Sequence, residues 1–197
     1  MSNQQALQAQ LKEHQAVFDR LVTLTPQIED VALRVIDTLH SGGKLLLAGN
    51  GGSAADAQHI AAEFSGRYLV EREGLAALAL TTDTSAITAI GNDYGFERVF
   101  RRQFEALARP GDVLWVYSTS GNSANIVEAV KAAKALDCYV VALTGESGGR
   151  LKNLVDECLC VPSAETPRIQ EAHAFIGHAI CDICLLYTSP SPRDKTV

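Results

Sequence analysis

The chain has 197 residues, 47% hydrophobic and 20% charged, with a formal net charge of −6. That length suits one domain with a sizeable core. The acidic balance argues against broad binding of nucleic acid or anionic membranes, and no apolar run approaches the roughly 20 residues of a membrane span. The N-terminal stretch MSNQQALQAQLKEHQ is polar and helical in pattern rather than a signal peptide, so a cytoplasmic location is expected. The cysteines Cys138, Cys158, Cys160, Cys181 and Cys184 are then expected to be reduced thiols. A single C-x-x-C without a second ligand pair suggests buried small residues rather than a zinc ribbon.

Leu7, Leu11, His14, Phe18, Leu21 and Val22 recur at helical spacing and predict an amphipathic helix over 4–24. Thr25-Pro26 then predicts a cap followed by proline at the first helical position. The second helix should run to about His40, with Ile28, Val31, Val35 and Leu39 inward, and stop at Ser41-Gly42-Gly43. This helical pair, residues 1–40, is expected to pack on the domain or on a neighbouring subunit.

From 41 to 185 strands alternate with helices. Strands are predicted at 45–48, 76–80, 113–117, 139–144 and 158–161. Helices are predicted at 54–65, 84–90, 96–107 and 123–136, with a short one at 151–154 and a last one from near Pro167 to about Leu185. Near-continuous apolar strands separated by helices imply an α/β domain with a central parallel sheet covered on both faces. Ligands of such sheets bind beyond the carboxyl ends of the strands. The end, LLYTSPSPRD, cannot continue a helix through two prolines and resembles translated sequencing-adapter read-through. Residues 186–197 are therefore expected to be non-native or disordered, with native C-terminal turns missing.

Two loops carry the features of anion sites. Gly49-Asn50-Gly51-Gly52-Ser53 follows the first strand, where glycine lets the backbone come close and a helix N-terminus points at an anion. Ser118-Thr119-Ser120-Gly121-Asn122-Ser123 follows the strand at 113–117 in the same way. One such loop would read as a capped helix, but two after separate parallel strands favour a site. Neither has the lysine of a P-loop or the dinucleotide glycine spacing.

His59 and Glu63, at i and i+4, share a helix face, although such a pair alone is more often structural. Gln170 and His178 on the last helix are a little over two turns apart and also share a face. Together these four could enclose a divalent metal, and imidazole with carboxylate suits zinc. His173 is off that face and is expected to be exposed or to support the site indirectly. Arg67 and Asp93 are further polar candidates, with turn capping an equal alternative for Asp93.

Taken in order, GNGGSAADAQH, AAEFSGRY, GNDYGF, STSGNS, LTG and PRIQEAH resemble the phosphoheptose isomerases of the sugar-isomerase (SIS) domain family, over the chain to about Cys184. The resemblance implies a three-layer αβα sandwich of flavodoxin-like type. It also implies isomerisation of sedoheptulose 7-phosphate to D-glycero-D-manno-heptose 7-phosphate for the lipopolysaccharide core. A zinc ion per site and a homotetramer with interface active sites come with it. Carried over, His59, Glu63, Gln170 and His178 match the metal ligands, and Glu63 and His178 the acid/base pair. Asn50, Gly51, Gly52, Ser53, Arg67, Asp93, Ser118, Thr119, Ser120, Ser123 and Gln170 match substrate-binding positions. The alternative is a non-catalytic SIS adaptor resembling the initiator-associating protein that binds the replication initiator. That adaptor shares the first loop and the RIQE-x-H start of the last helix but has no histidine matching His178.

Overall fold

The computed structural model describes residues 2–69 and 71–188; the side chains of 186–188 are not included. Strands β1 (Leu45–Ala48), β2 (Ala77–Ala79), β3 (Val113–Ser118), β4 (Tyr139–Thr144) and β5 (Glu157–Cys160) form one sheet in the order β2-β1-β3-β4-β5. Every pairing is parallel, with Leu45 opposite Val113 and Tyr139 also opposite Val113. Parallel neighbours need crossovers, which the helices supply. They are α3 (Gly52–Ser65), α4 (Thr84–Tyr94), α5 (Val99–Leu107), α6 (Ala124–Ala135) and α7 (Thr166–Thr188), preceded by α1 (Asn3–Leu21) and α2 (Thr25–His40).

Successive strand residues feed opposite faces. Leu45, Leu47, Val113, Trp115 and Tyr117 pack with α2, α3 and α7 residues such as Val31, Val35, Ile60 and Ile176. Leu46, Ala48, Leu114 and Val116 pack with Phe100 and Phe104 of α5 and Ile126 and Val130 of α6. The expected three-layer αβα sandwich with a central parallel sheet is therefore present. Because α2 is part of the first cluster, the N-terminal pair shares the core of the domain.

Several local expectations shift. Thr25 does not cap α2; its hydroxyl donates to the Val22 carbonyl at 2.8 Å, within the 3-10 turn Val22–Leu24. Helix α3 begins at Gly52 rather than 54, because Gly51 takes φ +57°, a conformation that glycine adopts freely. Helix α4 runs to Tyr94, so Asp93 lies on its last turn instead of in a loop. Helix α7 continues through Thr188, three residues into the suspected tail, and the remainder of that tail lies outside the described residues. On α1, Leu7 and Leu11 are exposed, and Val17 and Leu21 are the residues that reach the core.

Candidate active site

Strand β1 has β2 on one side and β3 on the other, so its two neighbours arise from opposite winding directions. Such a switch point opens a crevice at the carboxyl ends, here between the loops after β1 and β3. Gly49 has to be glycine, since a Cβ there would fall within 2.9 Å of Ser53 Cβ and closer still to its backbone. Ser53 is buried, with its amide bonded to the Asn50 carbonyl at 3.0 Å.

The second loop closes on itself. Gly121, at φ +64°, donates its amide to the Ser118 carbonyl at 3.0 Å, and the Asn122 amide bonds to Ser120 Oγ at 3.2 Å. Ser118 Oγ and Ser123 Oγ stand 3.3 Å apart. Neither α3 nor α6 has a side-chain cap at its N-terminus, so the simple capped-helix alternative does not describe either loop. Thr119 gives its carbonyl to the Gly145 amide at 2.9 Å, which ties this loop to the end of β4.

The two loops are joined by Asn50 and Asn125, whose side-chain amides exchange hydrogen bonds at 2.8 and 2.9 Å. Asn125 Oδ1 also accepts from the Ile126 amide at 2.9 Å. Sequence reading missed Asn125. Its only signal was an asparagine in the first turn after a Ser/Gly loop, and its burial depends on the β1–β3 adjacency.

Over the crevice, α3 and α7 cross closely enough to bring His59, Glu63 and His178 together. His59 Nε2 lies 3.3 Å from His178 Nε2 and 3.2 Å from Glu63 Oε1. One ligand atom from each lies within 4.8 Å of the others, a group able to hold a metal ion. Around a tetrahedral zinc with bonds of about 2.0–2.1 Å, ligand atoms sit about 3.3 Å apart. The two spacings from His59 Nε2 fit that geometry. Tyr68 stacks on His178 with ring centroids 5.7 Å apart, a packing partner that sequence reading did not assign to the site. One turn before His59, Asp56 has its carboxyl raised by burial, which the nearby His59 partly opposes.

The other expected residues make local contacts of their own. Gln170 packs its amide against Gly52, about two turns along α7 from His178, so it sits beside the first loop. Arg67 is exposed with its guanidinium 3.9 Å from Glu71, and Asp93 accepts from Asn92 Nδ2 at 2.8 Å. Of the two expectations for His173, exposure is overturned: it is fully buried, with Nε2 3.3 Å from the Thr144 carbonyl. That partner assigns the proton to Nε2, and burial lowers the ring's pKa to about 4.

The SIS domain family model matches residues 11–145. The phosphoheptose isomerase of Helicobacter hepaticus is 53% identical over 180 residues, covering 91% of this chain and 92% of that protein. That of a Roseiflexus species is 59% identical over 161 residues, 82% of each. Among solved structures, the Neisseria gonorrhoeae phosphoheptose isomerase superposes with a TM-score of 0.88 at 48% identity, covering 93% of this chain and 98% of the other. With matches of this extent, the chain belongs to the SIS domain family, in its phosphoheptose isomerase branch.

Proposed function

We infer that the protein is an aldose–ketose isomerase that converts sedoheptulose 7-phosphate to D-glycero-D-manno-heptose 7-phosphate, the entry to the heptose of lipopolysaccharide core. The carrying observation is the His59–Glu63–His178 cluster on α3 and α7, together with the loops after β1 and β3 joined through Asn50 and Asn125. No observation favours the non-catalytic adaptor.

Isomerisation through an enediol needs a base beside the carbonyl, an acid at the adjacent carbon and stabilisation of the enediol oxygens. Glu63 and His178 take the proton-transfer roles, with Tyr68 holding the His178 ring. The phosphate rests on Ser118, Thr119, Ser120 and Ser123, while Asn50, Gly51, Gly52 and Ser53 close the other side. Arg67 and Asp93 are assigned to the sugar on the family resemblance alone. His59, Glu63 and His178 would hold zinc, and Gln170 would join them once its amide turns away from Gly52. When bound, zinc supplies Lewis-acid polarisation of the carbonyl oxygen.

Exposed Leu7, Leu11 and Phe175, with an apolar groove along Ile28, Leu33 and Ile183, support assembly into a homotetramer with sites near the interfaces. Among the described residues no helix is long and apolar enough to cross a membrane, in keeping with the proposed cytoplasmic setting.

The test is turnover of sedoheptulose 7-phosphate by zinc-supplemented protein, followed by NMR beside His178→Ala. The wild type should form the aldose phosphate; the variant should lose turnover and keep sugar-phosphate binding. A fully active variant removes His178 from the mechanism, and an inert, folded wild type overturns the function.

A further inference from the structure

Strand β5 is an edge of the sheet, and its Cys158 and Cys160 project from one face, away from the His59 cluster. Their sulfurs share a hydrogen bond at 3.6 Å, and Thr144 Oγ1 stands 3.6 Å from the first and 3.5 Å from the second. Both cysteines are part-exposed, unlike Cys138, Cys181 and Cys184, which are buried. We propose that Cys158 and Cys160 form a bidentate thiolate site for a soft, thiophilic d10 cation.

Three observations carry it. With metal–sulfur bonds of about 2.3 Å, a tetrahedral ion holds two thiolates about 3.8 Å apart, so the pair needs almost no movement to chelate. A disulfide is less well matched: alternate residues on a strand have Cα atoms about 6.6 Å apart, at the upper limit for the bridge. Both thiols are part-exposed on an edge strand, so an ion can reach them. Chelation replaces the hydrogen bond that Cys160 donates to Cys158, and both thiol protons leave to solvent on binding.

The site backs onto the proposed phosphate loop. A Cβ on Gly148 would lie 3.2 Å from Cys160 Sγ, and the Gly148 carbonyl presses against Gly121. The Leu151 amide bonds to the Gly121 carbonyl at 3.1 Å, and the Arg150 amide to Asn122 Oδ1 at 3.0 Å. An ion on Cys160 therefore sits one loop away from Ser120–Asn122.

Cadmium titrated into the intact reduced protein, preloaded with one equivalent of zinc to fill the His59 cluster, tests this through the ultraviolet thiolate-to-cadmium charge-transfer band. The band should saturate at one equivalent per chain, vanish in Cys158→Ser and Cys160→Ser, and persist in His59→Ala, whose lost ligand carries no sulfur. X-ray absorption of the cadmium-loaded wild type, which needs no variant to fold, should count two sulfur neighbours. No band in the wild type, a band that survives the double serine variant, or loss of two hydrogens by mass in place of cadmium uptake would each overturn the site.

Discussion

Gly177 of α7 faces Ile60 of α3 so closely that a Cβ at 177 would come within 2.7 Å of Ile60 Cδ1. This is the contact that lets His178 and His59, the next residue on one helix and the previous one on the other, meet at 3.3 Å. Gly177→Ala should push the helices apart, costing about 1–3 kcal/mol as an overpacked contact does. Retention of the proposed zinc after dialysis should fall with it. Thermal unfolding and metal analysis check both, and unchanged zinc content would show that the crossing does not set the ligand spacing.

Asn125→Ala should separate the two loops. It leaves the Asn50 amide without its reciprocal partner, a loss of about 1–3 kcal/mol for a group that is not freely solvated. Because Asn125 hydrogen-bonds to Asn50 and the Ile126 amide and not to His59 or Glu63, KM for the sugar phosphate should rise several-fold while kcat changes little. Steady-state kinetics separate the two effects.

Gly121→Ala combines a disfavoured positive φ with a side chain driven into the Gly148 carbonyl. The expected result is a folded protein whose affinity for sugar phosphates falls at least tenfold. Calorimetric titration would measure it. Wild-type affinity would mean that the second loop does not hold the phosphate.

His173 makes stability depend on pH. Its folded pKa of about 4 lies below the 6.5 of the unfolded chain. The unfolded state therefore binds the extra proton between those values. The contribution is complete above about pH 6.5 and lost as pH falls toward 4, up to about 3 kcal/mol. Urea midpoints in wild type should fall over that window, and the slope should shrink in His173→Gln. Equal slopes would place the acid sensitivity elsewhere.

Much was legible from local pattern. The apolar runs at 45–48 and 139–144 and the helical spacing of Ile28, Val31 and Val35 determine elements that depend on near neighbours in sequence. The glycines at 49, 51 and 52 declare a tight turn because few other residues fit one, and so the turn after β1 could be read directly. The i, i+4 spacing of His59 and Glu63 likewise follows from one helix.

Tertiary structure decided the rest, because those questions concern residues far apart along the chain. The Asn50–Asn125 bridge exists only since β1 and β3 are adjacent in the sheet. The burial of His173 depends on how α7 lies over β4, which is why its spacing suggested exposure and its environment does the opposite. Gln170 and His178 share a helix face, yet Gln170 rests on Gly52 and His178 meets His59. Periodicity determines which side of a helix a residue occupies; only the path of the neighbouring helix determines what it touches.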